Sequence, residues 1–343
     1  MKIIFFCENP YALSINKPIH DVAVKRNFEA LWYIPENVLE FLNFKVNHTK
    51  SIKDLKDFKA DAIIVPGNVV PHYLRGLKVQ IFHGFAGEKK GHFRIRQYFD
   101  LYLTQGPYFT RRFKELSKKH KDFDVIETGW SKLDPLYELN KDKTERERLL
   151  IEYSCKNIIL YAPTFSPKLT SAGKYIDEIF TLANDRNNLL VVKFHDLMNR
   201  DVAEKYKKRA KNFPNVLISE EKSILPALVY SDVMISDTSS VVYEFMILDK
   251  PVITINTRSK NPQWQNINSA KNLDVLVKES LLNDKYSRQR RDIISEYHPY
   301  NDGNSSERML DEIESYLKKN GVPEYRKLNL YRRWKINNKF GKF

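Results

Sequence analysis

Two histidines, a threonine and a cluster of four polar residues stand where apolar runs of the sequence end. His83 closes "VQIFH" (79–83) and His195 closes "VVKFH" (191–195). Thr164 and Ser166 follow "IILYAP" (158–163), and Asp237, Thr238, Ser239 and Ser240 follow "DVMIS" (232–236). An imidazole at such a place serves as a general base toward a hydroxyl, or donates to a phosphate oxygen or leaving group. Hydroxyls beside the first N–H groups of a helix seat an anion. Glu244, four residues after Ser240, shares a helical face with it and suits ribose hydroxyls.

Each residue also has a plainer reading. Asp237 or Thr238 can simply cap the helix that follows, although the Glu or Gln that would complete a capping box is missing. Either histidine can be structural, His195 being oriented by Asp196. The loop "HGFAGEKKGHFRIR" (83–96) favours a functional His83. It carries Gly84, Gly87 and Gly91 for tight turning, and Lys89, Lys90, Arg94 and Arg96 for an anionic acceptor.

The elements that must hold these residues are short apolar strands alternating with helices. Strands are expected at 2–6, 61–67, 79–83, 101–106 and 124–129, then at 158–164, 189–195, 215–219, 232–237 and 251–256. Helical patterns fill 107–119, 173–185, 200–211, 223–230 and 239–248, and the charged stretch 139–154 reads as a linking helix. Apolar strands without alternation mean parallel sheets covered on both faces. The expectation is therefore α/β: two doubly wound, Rossmann-like domains facing across a cleft, with ligands at the carboxyl ends of the strands. The boundaries expected are 1–145 for an acceptor-side domain, 146–320 for a donor-binding domain and 321–343 for a tail.

The bulk properties narrow the class. With 57 Lys and Arg against 43 Asp and Glu in 343 residues, the net charge is +14, a field that attracts anionic partners. Two cysteines, far apart in apolar contexts, exclude a disulfide scaffold and fit a reducing compartment. "MKIIFFCENP" reads as a first strand, not as a signal peptide. No run approaches the ~20 apolar residues that span a bilayer, so the protein is expected to be cytoplasmic. HExxH, CxxC, Walker and GxGxxG patterns are absent from the sequence, and no metal or cofactor is expected. The end, "YRKLNLYRRWKINNKFGKF" (325–343), interleaves seven Lys or Arg with Tyr, Trp and Phe. That mixture suits an anionic membrane surface or single-stranded nucleic acid, or a tail packed on the body. A membrane surface is the expectation, with no nucleic acid partner.

Taken in order, these segments resemble the CDP-glycerol glycerophosphotransferase family, the teichoic-acid primases and polymerases. "SDVMISDTSSVVYEFMILDKPVI" (231–253) is similar to that family's "SDvlItDYSSvmfDfavldkPii". "ILYAPTFSP" resembles "YaPTwR", "VVKFHD" resembles "lRlHP", and "HGFAGEKKG" resembles "HGTPlKkxG". "GWSKLDPLY" (129–137) and "YNDGNSSERMLDEI" (300–313) match its "GyPrnD" and "fDGkaSeRvvd". Departures fall at Phe85, Ala86 and Gly87 for Thr-Pro-Leu, at Ser166 for the arginine and at Asp196 for the proline.

The resemblance implies a GT-B fold and transfer of glycerol phosphate, or a related alditol phosphate, from a CDP-alditol to a hydroxyl of a cell-surface glycan precursor. CMP is released and no cofactor is used. It implies His83 and His195 as the catalytic pair, and Asp237, Ser239 and Ser240 as phosphate ligands. Ser305 and Arg308 touch the diphosphate by the same analogy. The acceptor is expected to be lipid-linked or a glycan, with the enzyme peripheral at the inner face of the membrane. The alternative is a GT-B glycosyltransferase using a nucleotide sugar for capsule or lipopolysaccharide synthesis. A non-catalytic basic module is the rival from another class.

Overall fold

The computed structural model describes residues 1–85 and 91–342. The chain divides into two compact units. One is Met1–Pro135 together with Glu296–Phe343, and the other is Leu136–Ser295. The first holds a seven-stranded sheet of β1 (Lys2–Phe6), β2 (Glu29–Tyr33), β3 (His48–Thr49), β4 (Ala62–Val65), β5 (Leu77–Gln80), β6 (Leu101–Thr104) and β7 (Asp124–Glu127). Their order is β3-β2-β1-β4-β5-β6-β7 and every pairing is parallel. The second unit has six parallel strands: β8 (Asn157–Tyr161), β9 (Asn188–Val192), β10 (Val216–Ile218), β11 (Val233–Ser236), β12 (Val252–Ile255) and β13 (Gln265–Ile267). Their order is β10-β9-β8-β11-β12-β13. This is the α/β, GT-B-like fold class expected from the sequence.

Burial explains which strands form the cores. All four residues of β4, β5, β6, β11 and β12 are buried, as strands covered by helices on both faces must be. The edge strands β7, β10 and β13 are only partly buried. In each sheet the strand order reverses once, between β1 and β4 and between β8 and β11. Loops leaving the carboxyl ends of those pairs part to opposite faces and open a crevice.

Two expected boundaries differ. The linking helix at 139–154 is two helices, Asp134–Lys141 and Thr144–Glu152. They break where the Asp142 carboxylate accepts the Thr144 N–H at 2.9 Å. The stretch 296–320, expected to close the second domain, belongs to the first unit. Its helix, Ser305–Asn320, begins on the buried Asp134 carboxylate. That group accepts the N–H of Ser305 at 2.9 Å, the N–H of Ser306 at 2.7 Å and the Ser306 hydroxyl at 2.6 Å. Arg26 adds ion pairs to Asp311 at 2.7 Å and Glu314 at 3.1 Å. His298, fully buried, accepts the Trp130 N–H on Nε2 at 3.0 Å.

The tail is also docked. Arg326 is buried and pairs with Asp100 at 2.5 Å and Asp122 at 3.3 Å. A last helix, Leu330–Phe340, buries Ile336 and sets Phe340 edge-on to Phe6 at 5.7 Å. Of the sequence readings of this tail, packing on the body is correct for one face of that helix. Both cysteines are buried free thiols. No helix of the described residues is long and apolar enough to cross a membrane.

Candidate functional site

In the second unit the polar residues gather at the reversal point between β8 and β11. Asp237 leaves β11 with its side chain wholly buried. One carboxylate oxygen accepts the Thr164 N–H at 2.8 Å. The other accepts the Ser171 N–H at 2.8 Å and the Ser171 hydroxyl at 2.9 Å. Asp237 thus ties the loop after β8 to the end of β11. Burial holds its carboxyl above the ordinary range, and the three donors oppose that rise. The phosphate-binding role that the resemblance implies for Asp237 stays an expectation, and both of its carboxylate oxygens are engaged within the protein. Asp237 positions the turn that follows.

That turn remains available. Thr238, Ser239, Ser240 and Thr164 are partly exposed. Thr238 Oγ1 accepts the Arg258 N–H at 3.1 Å, tying the turn to the loop after β12. The capping expected of Asp237 or Thr238 falls instead to Ser239, whose hydroxyl accepts the Val241 N–H at 3.4 Å. Ser240 precedes the helix Val241–Met246, shorter than the 239–248 expected, and its own side chain caps nothing. Glu244 is buried one turn along that helix.

His195 leaves β9 exposed, its ring against Phe165 at 4.5 Å between centroids. Nδ1 accepts the Leu197 N–H at 3.1 Å. A neutral imidazole has one N–H and one lone pair, so this bond puts the proton on Nε2. His195 therefore offers Nε2–H as a donor.

In the first unit His83 has the opposite tautomer. Its Nδ1–H donates to the Pro66 carbonyl at 3.0 Å, which leaves the basic lone pair on Nε2. The same carbonyl receives the buried Gln80 amide at 3.3 Å. Gln105, also buried, donates to the Gly84 carbonyl at 2.9 Å and fixes the next residue. Tyr11 lies on the imidazole at 4.9 Å. Phe82, just before, has a positive φ of 62°, a left-handed conformation uncommon for a bulky residue. Its buried ring, 4.9 Å from Phe113, holds that bend and turns His83 outward. The sequence reading missed Tyr11, Pro66, Gln80, Gln105 and Phe165. Gln105, a polar residue closing the run "LYLTQ", carried the same strand-end signal as the histidines.

The remaining expected residues separate. Arg94 is exposed in the first unit, and Lys89 and Lys90 lie outside the described residues. Ser305 and Arg308 belong to the first unit, and the 237–240 turn belongs to the second. Ser305 is buried. Arg308 donates to the Thr128 carbonyl at 2.8 Å, to Asp302 at 2.7 Å and to the Ser305 hydroxyl at 3.2 Å, with Tyr300 under its guanidinium at 4.2 Å. Three of its five N–H donors thus clamp residues 128, 302 and 305 together, and the diphosphate contact that the resemblance implies stays an expectation. Gly129, next to Thr128, has φ +87°, and a Cβ there would stand 2.5 Å from Ser305 Oγ. Only glycine fits.

Residues 79–260 match the family model described as CDP-glycerol:poly(glycerophosphate) glycerophosphotransferase. The chain is 28% identical over 229 residues to the teichoic acid glycerol-phosphate primase of Bacillus subtilis (strain 168), covering 63% of this chain and 58% of the primase. It is 26% identical over 272 residues to the teichoic acid ribitol-phosphate polymerase TarL of Staphylococcus aureus, covering 68% and 46%. The chain thus spans about half the length of the curated relatives it matches. Among solved structures, the wall teichoic acid polymerase TagF superposes with a TM-score of 0.68 at 16% identity, over 93% of this chain and 89% of that one. A putative UDP-N-acetylglucosamine 2-epimerase from Listeria monocytogenes gives 0.67 at 15%, over 96% and 99%. At such identities these two likenesses show the fold alone.

Proposed function

The chain belongs to the CDP-glycerol:poly(glycerophosphate) glycerophosphotransferase family, and from that premise we propose that it transfers glycerol phosphate, or a related alditol phosphate, from a CDP-alditol to a hydroxyl of a cell-surface glycan precursor. The opposite tautomers of its two strand-end histidines carry the proposal. His83 Nε2 takes the proton of the acceptor hydroxyl, and the oxygen attacks the phosphorus that bears the alditol. The bond from that phosphorus to the bridging oxygen breaks, and CMP leaves with both electrons. His195 Nε2–H donates to the phosphate oxygens as charge builds there. Phosphoryl transfer asks mainly for positioning and charge stabilisation. The hydroxyls of Ser239, Ser240 and Thr164 supply donors for the diphosphate, and Glu244 is assigned to the nucleoside side. Arg94 lies on the acceptor side with His83. The donor is the only nucleotide required, and no cofactor enters the scheme.

The acceptor brings the enzyme to the inner face of a membrane. Supporting this, the docked helix Leu330–Phe340 leaves Leu330, Tyr331 and Trp334 exposed, with Arg333 and Lys335 between and beside them. Apolar and aromatic side chains interspersed with basic ones suit an anionic lipid surface. Changing Leu330, Tyr331 and Trp334 together to alanine is expected to weaken sedimentation with phosphatidylglycerol vesicles by about tenfold or more. Unchanged sedimentation would remove this helix from the proposal.

Nucleotide release tests the reaction itself. Purified protein with an acceptor-bearing membrane extract would be offered CDP-glycerol, CDP-ribitol and several sugar nucleotides. CMP from a CDP-alditol alone is the expected result. Release from a sugar nucleotide alone would replace alditol phosphate by glycosyl transfer.

A further inference from the structure

Glu8 follows β1 at the reversal point of the first sheet, and its side chain is only 11% exposed. Its Oε1 pairs with Lys339 Nζ at 2.5 Å. Lys339 comes from the last helix, where its ammonium lies 5.3 Å from the Phe340 ring centroid. The other Glu8 oxygen and the Tyr11 hydroxyl both approach Gly67. A Cβ built on Gly67 would stand 3.8 Å from the first and 3.9 Å from the second. The neighbouring Pro66 supplies the carbonyl that orients His83, and the Tyr11 ring covers the His83 ring. The ion pair and the imidazole therefore border the same Pro66–Gly67 segment and the same Tyr11 side chain.

The charges around it can be named. Tyr11 and Tyr33 face Glu8 from neighbouring elements, and burial raises both hydroxyls. On the far side, Arg96 reaches Asn68 at 3.1 Å. Among the described residues named here, Glu8 is the carboxylate, and Lys339 and Arg96 are the bases. Burial raises the Glu8 carboxyl, and Lys339 holds it back. A carboxylate left alone beside an imidazole favours the imidazolium, and a lone ammonium opposes it.

We propose that the Glu8–Lys339 pair positions the base electrostatically: Lys339 cancels the field of Glu8 at His83, so the C-terminal helix sets the proton affinity of a histidine on the opposite end of the chain. The proposal rests on the reading of His83 as the base, but its test does not need the reaction.

The test is an NMR titration of the full chain labelled at histidine, with the His83 signal assigned by its loss in His83→Gln. Lys339→Met is expected to raise the His83 midpoint by about half a pH unit or more, and Glu8→Gln to lower it by a similar amount. The double variant is expected to return near the parent. Midpoints within about 0.2 pH unit of the parent in both single variants, or shifts of reversed sign, would overturn the proposal. If Glu8→Gln does not fold, Lys339→Met carries the test alone, since that lysine is 53% exposed. An unmoved midpoint with intact CMP release discards the ion pair's role. A moved midpoint without CMP release discards the transferase reading.

Discussion

Alanine at His83 is expected to lower kcat for CMP release by about 10²–10⁴-fold, with the KM for the donor within about twofold. The split follows from where the residue sits. His83 stands in the first unit, and its Nδ1–H is committed to the Pro66 carbonyl at 3.0 Å. The hydroxyls of Ser239, Ser240 and Thr164, proposed to hold the donor, stand in the second unit. Removing the base leaves those hydroxyls intact, so donor binding survives while proton transfer fails. The substitution is also mild for the fold, because His83 is exposed. It does leave the Pro66 carbonyl with the Gln80 amide as a remaining partner at 3.3 Å. Steady-state kinetics on the purified variant decide the matter. A kcat within about threefold of the parent would remove His83 from the chemistry.

Acid is expected to unfold the first unit through His298. The imidazole is wholly buried and its pKa is pushed down to about 3, chiefly by burial. In the unfolded chain a histidine takes its proton near pH 6.5. The sign follows directly. Above pH 6.5 both states are neutral and the stability is fully present. As the pH falls, only the unfolded chain binds the proton, so stability is lost between about 6.5 and 3. A gap of about three and a half pH units, at about 1.4 kcal/mol each, amounts to about 5 kcal/mol. That is a large share of a domain's total stability. Protonation would also take Nε2 from the Trp130 N–H that it accepts at 3.0 Å. Denaturant melts at pH 7 and pH 4 are the measurement, with His298→Gln beside the parent. The parent is expected to lose about 3 kcal/mol more than the variant over that range. Parallel losses would show that His298 does not govern acid stability.

The legible parts of this molecule are those buried on both faces. The runs that become β1, β4, β6, β8, β9, β11 and β12 are short and largely apolar, and each was visible as a strand, whereas β5, Leu-Lys-Val-Gln, overlaps the expected 79–83 by two residues only. β13 reads Gln-Asn-Ile and β3 reads His-Thr. Both are partly exposed edge strands, and neither gives an apolar run. The helix Tyr11–Lys25 was hidden by Pro18 in its interior, a residue that ordinarily ends a helix. His83 and His195 were visible as polar residues at the ends of apolar runs, although β5 ends at Gln80 and β9 at Val192, each three residues earlier. Their tautomers were not, because main-chain groups fix them: the Pro66 carbonyl in one case and the Leu197 N–H in the other. Asp237 was noticed, but its bonds to Ser171 were not. They depend on the loop carrying Ser171, which the sequence does not bring near. Ser305 and Arg308 were likewise expected in the second domain, whereas they belong to the first unit. The segment after 295 returns to Asp134, and nothing local announces a return over that distance.

That return also sets the order in which the chain can finish folding. Every strand of the first sheet precedes residue 136, yet the partners of Trp130, Asp134 and Asp100 are His298, Ser305 with Ser306, and Arg326. All of them are synthesised after the second unit is complete at Ser295. As the chain leaves the ribosome from its N-terminus, the second unit has all of its residues first. The first unit waits with a buried carboxylate and a buried N–H unpaired until the last fifty or so residues emerge. Of the two units, the one whose first residues come earlier is the one that closes later.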